Sequence, residues 1–243
     1  MDLHKPKPWH GLREFLKEYL IIVVGVLTAL GAEQVVEAAH QGALRHEARE
    51  AIRGEIGRNL TIFERRAPLQ RCVDDRLKAI EAMLVATPSG QALPRPLWVG
   101  RPQVWQVSES RWAATASGGR AALLSPDEQA RFGEIYANFH ELDDAERIEQ
   151  LAWAHLRELE TLPSLDPATR AHLIEALHEA RYANFRIKIA GFQARDQAKA
   201  IGARAQSWQA SEGSLSVCVP MATVREEAVK RTIRGRSVAV AEP

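Results

Sequence analysis

The chain has 243 residues, of which 46% are hydrophobic and 26% charged, so it is long and apolar enough to fold around a sizeable core and is not a disordered chain. Its 32 Lys and Arg residues nearly balance 31 Asp and Glu residues, for a formal net charge of +1. This balance argues against a nucleic-acid-binding protein, which usually carries a basic excess on one face.

The first predicted element is an apolar segment near the N-terminus. Residues Tyr19–Ala32 read YLIIVVGVLTALGA, a stretch without a charge that is apolar on every face. Apolar residues on both sides extend this stretch toward the ~20 residues that cross a bilayer. We therefore predict a transmembrane helix over residues 19–36, preceded by a cytoplasmic segment over residues 1–18. A buried core helix or strand is the alternative for so short a run.

Basic residues on the two sides of the segment predict its orientation. Four precede it and two follow within the next seventeen residues after Ala32: Lys5, Lys7, Arg13 and Lys17, then Arg45 and Arg49. Because cytoplasmic flanks carry the excess of Lys and Arg, the N-terminus is expected in the cytoplasm. The chain is then a single-pass protein of the inner membrane, with an exported helical domain over residues 37–236 and a flexible tail over residues 237–243.

A cleaved signal peptide is the competing interpretation of the same residues. It would have a basic start, an apolar centre and small residues before the cut, and Ala29-Leu30-Gly31 fits such a site. Cleavage would leave a soluble exported protein. Both interpretations export the same domain.

Helical periodicity continues after the apolar segment. No proline interrupts the chain from Glu33 to Arg66, and its apolar residues recur at helical spacing, which predicts a long amphipathic stalk. Pro68 is expected to reset the chain before a second helix that ends near Ala86.

The next stretch changes in composition. Residues 87–106 contain four prolines and two glycines and are predicted to form a long connection. Within and just after it, Val104–Val107 is predicted as a short strand. A short helix is expected over residues 110–117, before a pair of glycines.

Two long helices follow. Ser125-Pro126-Asp127-Glu128 combines an N-cap, a first-turn proline and a capping-box glutamate, and the apolar spacing after it predicts a helix to Leu162. Asp166 is the predicted N-cap of the last long helix, which extends to Ile201. Because a short turn joins the two helices, they are expected to pack antiparallel.

The remaining residues complete the predicted fold. Leu215–Val219 alternates like a short strand, and residues 224–233 are expected to form a small helix. The predicted fold class is mainly α: an N-terminal transmembrane helix continuing into a stalk, then an antiparallel helical bundle with long helices and a Pro/Gly-rich loop.

The chain has two cysteines, Cys72 and Cys218. They can form one disulfide in an oxidising compartment, in agreement with export. The alternative is two buried small apolar residues, which is common for free cysteine.

One pattern is compatible with metal binding. Glu175 and His178 form a Glu-x-x-His pair, a building block of di-iron helical bundles, and Glu37 and His40 repeat the spacing. A complete site would also need inward-facing glutamates on other helices, for which Glu134, Glu146 and Glu149 are available. Since Glu-rich helices produce such pairs by chance, surface-exposed residues are the preferred interpretation, and no cofactor is predicted.

Catalytic motifs are not apparent. Ser117 lacks the Gly-x-Ser-x-Gly frame of a nucleophile elbow, and the sequence has no phosphate-binding loop and no His-Glu-x-x-His zinc motif. Trp98, Trp105 and Trp112 lie in or near the Pro/Gly-rich connection and could line a ligand site. The preferred interpretation is that they fill the space between this loop and the helices.

Two stretches resemble a known group of proteins. Residues 18–30, EYLIIVVGVLTAL, with Gln34 and Glu37 after them, resemble the N-terminal segment of uncharacterised bacterial single-pass membrane proteins. Residues 112–118, WAATASG, with Leu123 and Leu124 before a capped helix, are similar to a second feature of that family. The resemblance implies an uncleaved anchor and an α-helical exported domain, and it implies no activity.

The predicted function is that of a membrane-anchored, non-enzymatic interaction or sensing module. The expected partners are the lipid bilayer and either another protein or a second copy, since Gly25 and Ala29 form a small-x-x-x-small pair that lets transmembrane helices approach closely. No nucleic-acid partner is expected. The alternatives are a metal-dependent bundle enzyme and a soluble exported protein.

Overall fold

The computed structural model describes residues 11–207 and 216–238. Helices make up about 78% of it, and the described residues contain no strand beyond an isolated bridge between Ala92 and Ser164. The mainly-α fold class is therefore confirmed. Lys5, Lys7, Leu215 and residues 239–243 of the predicted tail lie outside the described residues.

Six α-helices are present in the described part of the chain. Their bounds are α1 Leu12–Arg66, α2 Gln70–Ala86, α3 Ser110–Ser117, α4 Pro126–Leu156, α5 Pro167–Ala200 and α6 Arg225–Val238. Short 3-10 turns occur at Ala67–Leu69, Arg120–Leu123, Arg157–Glu160 and Ser216–Cys218. The chain divides into two compact units, residues 1–49 and residues 50–243.

The predicted helix boundary at Pro68 is present, since α1 ends at Arg66 and α2 covers Gln70–Ala86, but the backbone keeps a helical path across it. Pro68 lies in the 3-10 turn between α1 and α2, and Arg66, Leu69 and Gln70 all keep right-handed helical backbone angles. A proline is tolerated in the first turn of a helix because no intrahelical bond needs its missing N–H. Residues 50–66 and α2 therefore follow one another with only a local tightening of the helix.

Local start signals account for the two longest helices of the second unit. The Ser125 hydroxyl accepts from the Glu128 N–H at 3.3 Å, and the Glu128 carboxylate accepts from the Ser125 N–H at 3.0 Å, which completes the predicted capping box. Asp166 accepts from the N–H groups of Ala168 and Thr169 at the start of α5. Each cap satisfies backbone donors that the first helical turn leaves without partners.

Helix α5 runs antiparallel to α4, as predicted. His155 lies beside His172 near the connecting turn, and Asn138 donates to Gln197 at 2.7 Å toward the other end. Residues 50–66 run parallel to α4, since Glu55 bonds to Tyr136 toward the start of both segments and Arg66 bonds to Glu149 further along both. The bundle thus places α5 antiparallel to its neighbouring helices.

Apolar side chains fill the bundle in two main clusters. The first surrounds α2 and the joined ends of α4 and α5, and includes Leu77, Trp153 and Leu177. The second surrounds residues 52–63 and the opposite ends of α4 and α5, and includes Phe132 and Ile187. Each buried side chain of this size contributes about 1.5–3 kcal/mol to folding, so packing of these helices holds the second unit together.

Both predicted strands are wrong. Residues 104–107 have no regular structure, and the 3-10 turn at Ser216–Cys218 replaces the second strand. The alternating pattern has another cause in each case: Trp105 packs against both apolar clusters, and Val217 is buried in the first of them. An isolated apolar residue that packs on the core from an irregular segment gives the same alternation of apolar and polar residues as a strand.

A disulfide joins Cys72 of α2 to Cys218, across 146 residues of sequence. The buried Arg76, one turn further along α2, donates to the backbone carbonyls of Trp98, Val99 and Val219. Burial lowers the pKa of Arg76 to about 10, so the guanidinium stays charged at neutral pH. The Pro/Gly-rich loop and the segment after α5 are therefore both attached to α2.

Candidate functional site

The N-terminal part of α1 is apolar and uncovered. By length and composition, it contains a stretch that could cross a membrane. None of the most apolar 18 residues of this stretch is buried. Leu20, Ile21 and Leu27, for example, are exposed over 61–70% of their surface. A signal sequence would pass the same test of length and composition.

Gly25 and Ala29, the predicted packing pair, lie within this uncovered stretch. No atom lies within 4 Å of a Cβ built at Gly25. Thr28 is the polar residue of this part of the helix, and its hydroxyl donates to the Val24 carbonyl at 2.7 Å. Such a bond satisfies the hydroxyl within its own helix, which suits an apolar environment.

A buried polar layer separates the two apolar clusters of the bundle. Arg66 at the end of α1 donates two hydrogen bonds to the carboxylate of Glu149 on α4, one of them at 2.9 Å, and a third at 3.2 Å to Asn184 on α5. All three side chains are at most 4% exposed. The two parallel hydrogen bonds of a bidentate guanidinium–carboxylate pair fix the register of the two helices that carry it, and the two charges neutralise each other.

Glu146 lies one turn before Glu149 and adds a second carboxyl group to the layer. It is 2% exposed, and neither of its oxygens makes a hydrogen bond of normal geometry with the described residues. Burial raises the pKa of Glu146 to about 8, and the attraction of Arg66 only partly opposes this. Burial also raises the pKa of Glu149, against the attraction of Arg66. One cation thus faces two carboxyl groups, and burial raises the pKa of both.

The polar layer reaches the surface at a cleft of about 300 Å³ between α2 and α5. Asn184 forms its floor and donates to Asp74 at 2.9 Å, while Lys188 pairs with the same carboxylate at 3.1 Å. The residues that line the cleft are Asp74, Leu77, Lys78, Arg181, Asn184, Phe185 and Lys188. Its walls are amphipathic, with a charged rim.

Beside this cleft, α5 presents an apolar stripe to solvent, which we call the α5 stripe: Tyr182, Phe185, Ile189 and Phe192. Its side chains are 41–69% exposed. Their spacing of three, four and three residues is that of the seam of a coiled coil. The cations on its flanks are paired with acids of neighbouring helices, as in the bonds of Arg181 to Glu81 and of Arg186 to Glu141.

The structure does not bring the residues considered as an alternative di-iron site together in the interior. Glu175 and His178 of α5 are both exposed. Glu37 and His40 of α1 and Glu134 of α4 are exposed as well. Of the glutamates considered for an inward-facing set, Glu146 and Glu149 are buried. The described residues that do converge as metal ligands are a different trio, His155, Glu158 and His172.

A second buried carboxylate organises the N-terminus of α3. Glu55 of α1 accepts from the Tyr136 hydroxyl at 2.6 Å, from the N–H groups of Arg111 and Trp112, and from the Ser108 hydroxyl at 2.8 Å. Burial opposes its ionisation, but these donors outweigh the effect and lower the pKa of Glu55. An ionised carboxylate at a helix N-terminus is favoured by the helix dipole, so Glu55 holds α3 on the bundle.

The three tryptophans of the loop region act as packing residues. Trp98 is buried and donates from its ring N–H to the Ser216 carbonyl at 3.0 Å. Trp105 packs between the two apolar clusters, and Trp112 stacks on Tyr136 at 5.7 Å. These contacts agree with the interpretation that they fill the space between the loop and the helices.

Sequence reasoning missed the polar layer because its members are far apart in the chain. Arg66 and Glu149 are separated by 83 residues, and Arg66 and Asn184 by 118. Each looks like an ordinary polar residue of a charged helix. The signal in the sequence was the pair Glu146 and Glu149, at positions that fall between apolar residues of the α4 core stripe.

No protein-family model matches the chain, and neither a curated protein nor a solved structure matches it. The resemblance to bacterial single-pass proteins therefore stays a prediction. The fold and the uncovered apolar stretch define the class: a mainly helical protein with one N-terminal helix able to span a membrane.

Proposed function

We propose that this is a single-pass membrane protein whose helical domain lies outside the cytoplasm and acts as a non-enzymatic interaction module. The observation that carries the proposal is the uncovered apolar stretch of α1. None of its most apolar 18 residues is buried. Each large apolar side chain gains about 1.5–3 kcal/mol on leaving water. A lipid bilayer supplies this gain where the protein interior does not.

The dimensions of the stretch support this proposal. Residues 19–36 of a helix rise by about 27 Å at 1.5 Å per residue, close to the ~30 Å hydrocarbon thickness of a bilayer. Arg13 and Lys17 precede the stretch, and Tyr19 lies at its start, where an amphipathic ring suits the headgroup boundary. The excess of basic residues before the stretch favours a cytoplasmic N-terminus.

The disulfide supports an exported domain. Bonds of this kind form and persist in oxidising compartments and are rare in the cytosol. Cys72 and Cys218 are both in the second unit, and the bond between them is set among buried apolar residues of the first cluster. A structural disulfide of this kind is expected on the periplasmic side of an inner membrane.

Alkaline extraction of membranes tests the anchor. The full chain should remain in the pellet after a carbonate wash, and the double variant Ile22→Lys/Val26→Lys should be released, because each lysine at the bilayer centre costs about 2.5–3.5 kcal/mol. Val85→Lys is the matched control, since Val85 is 79% exposed on α2 outside the stretch. Release of the unaltered chain by the wash would refute membrane insertion.

N-terminal sequencing of the same material separates an anchor from a cleaved signal peptide. An intact N-terminus supports the anchor, whereas a mature chain that begins at Ala32 would show cleavage after Ala29-Leu30-Gly31. Protease added to the outside of spheroplasts tests the orientation. It should digest the helical domain, and protection of the domain would place it in the cytoplasm instead.

We further infer that the interaction partner is a second copy of this chain, which binds through the α5 stripe. Coiled-coil spacing fits a helical partner, and the cations that flank the stripe are already neutralised by Glu81, Glu141 and Asp74 of the same chain. Two copies can therefore approach without like-charge repulsion. Confinement to one membrane also raises the effective concentration of the copies.

The mass of the detergent-solubilised full chain tests this pairing. Phe185→Ser/Phe192→Ser should shift light scattering from a dimer toward a monomer, because it removes two aromatic side chains that are 57% and 69% exposed. Leu151→Ser is the matched control, since Leu151 is 61% exposed on α4 away from the stripe. A monomeric unaltered chain, or a dimer that the double variant leaves intact, would refute pairing through α5.

A further inference from the structure

Three potential metal ligands meet where α4 turns into α5. His155 lies in the last turn of α4, Glu158 in the 3-10 turn that follows, and His172 in the second turn of α5. Nδ1 of His155 is 3.2 Å from Oε1 of Glu158 and 3.1 Å from Nε2 of His172. The third side of this triangle, from Nε2 of His172 to Oε1 of Glu158, is 4.0 Å.

These distances suit a small divalent ion. A circle through the three atoms has a radius of about 2.0 Å, so one point in their plane lies at the usual Zn–N and Zn–O distances of ~2.0–2.2 Å from all of them. We propose that His155, Glu158 and His172 bind a divalent transition-metal ion of the zinc class, with water completing its coordination.

The donor set determines which ions fit. Imidazole nitrogen suits zinc, copper, nickel and iron, whereas magnesium and calcium take oxygen ligands. The three side chains are 44–45% exposed, so solvent can occupy the coordination positions that the protein leaves open. Two histidines, one glutamate and water form the ligand set that catalytic zinc sites also use.

The arrangement of the two rings supports a bound ion. Their centroids are 4.6 Å apart with the ring planes at 81°, and Nδ1 of His155 lies 3.1 Å from Nε2 of His172. Without a metal, a contact of this length requires one nitrogen to donate a proton and the other to accept it. A metal ion replaces that shared proton and lets both nitrogens and the carboxylate oxygen act as ligands at once.

The backbone that carries these ligands is held in place before any ion binds. Leu156, Leu159 and Leu173, next to the ligands in sequence, are fully buried. Arg95 donates from the Pro/Gly-rich loop to the carbonyls of Leu159, Glu160 and Leu162 in the connecting turn. Ligands on a fixed backbone lose little conformational entropy on binding, which favours affinity.

Calorimetric titration of Zn²⁺ into the full, tag-free chain tests the site, and Mg²⁺ serves as the control ion. We expect one Zn²⁺ per chain and no measurable Mg²⁺ binding. His155→Ala and His172→Ala should each weaken zinc binding at least about tenfold, as loss of a ligand or its support does elsewhere, and Glu158→Gln by a smaller factor. His140→Ala is the matched control, because His140 pairs with Glu109 at 3.1 Å on the same helical bundle and belongs to no cluster of metal ligands among the described residues.

The visible absorption of Co²⁺ bound at the same place gives a second readout that a purely structural histidine pair would not produce. Its intensity should fall in His172→Ala and persist in His140→Ala. Two results would overturn the proposal: an unaltered chain that takes up no Zn²⁺, or a His155→Ala/His172→Ala chain that binds it as tightly as the unaltered one. Neither depends on whether α1 spans a membrane.

Discussion

Arg66 and Glu149 form a bidentate ion pair inside the helical bundle, at 4% and 0% side-chain exposure. The pair lies between two apolar clusters, and Asn184 of α5 accepts a further hydrogen bond from the same guanidinium. Removal of two charges from water is expensive, and the pair offsets that expense only while both partners are present. Its stability contribution is therefore strongly non-additive.

Single removal of either partner should be much more damaging than removal of both. Arg66→Met should lower the free energy of unfolding by about 3–5 kcal/mol, because it leaves Glu149 buried without a counter-ion. Arg66→Met/Glu149→Leu should recover most of that loss. Chemical denaturation of the four chains in a double-mutant cycle measures the coupling.

The exposed pair of Arg147 and Asp144 is the control for this cycle. Its atoms are 2.7 Å apart, but the side chains are 72% and 55% exposed. Arg147→Met should change the free energy of unfolding by less than about 1 kcal/mol. Equal effects of Arg66→Met and Arg147→Met would contradict a buried and coupled pair.

Glu146 should make stability fall as pH rises. Its pKa in the folded chain is raised to about 8 by burial, above the ordinary value of 4.5. Between these two values the folded state holds a proton that the unfolded state has lost, so unfolding becomes easier with increasing pH. This loss of folding stability is absent below about pH 4.5 and complete above about pH 8.

Glu146→Gln should remove this loss and weaken the pH dependence of stability, while the part that comes from Glu149, whose pKa burial also raises, should remain. We expect the variant to be more stable than the unaltered chain by about 2–4 kcal/mol near pH 8.5, and to differ little near pH 4.5. Thermal unfolding followed by circular dichroism across this range is the measurement. Glu134→Gln, an exposed site on the same helix, should leave the pH profile unchanged. If both variants behave alike, Glu146 is ionised and solvated in solution.

Much of the helical framework could be predicted because its signals are local. The capping box at Ser125, the Asp166 cap and the short proline-containing turn each act within a few residues, and they set the antiparallel packing of α4 and α5. The predicted strands failed for the opposite reason. Trp105 and Val217 are apolar because of distant packing partners, and that information is not in the local pattern.

The candidate sites required the fold itself. The spacing along α5 pairs Glu175 with His178, whereas in the structure the other histidine of that helix, His172, meets His155 across the turn. The two histidines lie eight and nine residues on either side of Pro163, so their proximity follows once the hairpin is accepted. The hairpin follows from the local pattern, but which side chains meet across it depends on the register of α4 against α5, which the local pattern does not set.

The disulfide should contribute substantially to the stability of the second unit. It closes a loop of 146 residues, and constraint of so long a loop in the unfolded chain is worth about 4–5 kcal/mol in the chain-entropy description. Cys72→Ser/Cys218→Ser should lose about 2–4 kcal/mol, less than the full chain-entropy value, because residual structure in the unfolded chain reduces the effect of the constraint. Reductant should destabilise the unaltered chain by a similar amount and leave the double variant unaffected. Insensitivity of the unaltered chain to reductant would mean that the bond does not form in solution.

Close contact between α1 and α5 makes Gly191 a position where any side chain should be harmful. A Cβ there would lie 2.5 Å from Cδ1 of Phe63, a ring that is itself buried against Phe139. Gly191→Ala should therefore lower the free energy of unfolding by about 1–3 kcal/mol despite the better helix propensity of alanine. Gly133→Ala is the matched control on α4, where a Cβ meets nothing within 4 Å, and it should stabilise by about 0.5–1 kcal/mol. Urea denaturation of both variants should give changes of opposite sign. A stabilising Gly191→Ala would mean that α1 and α5 are further apart than the contact between Phe63 and Gly191 requires.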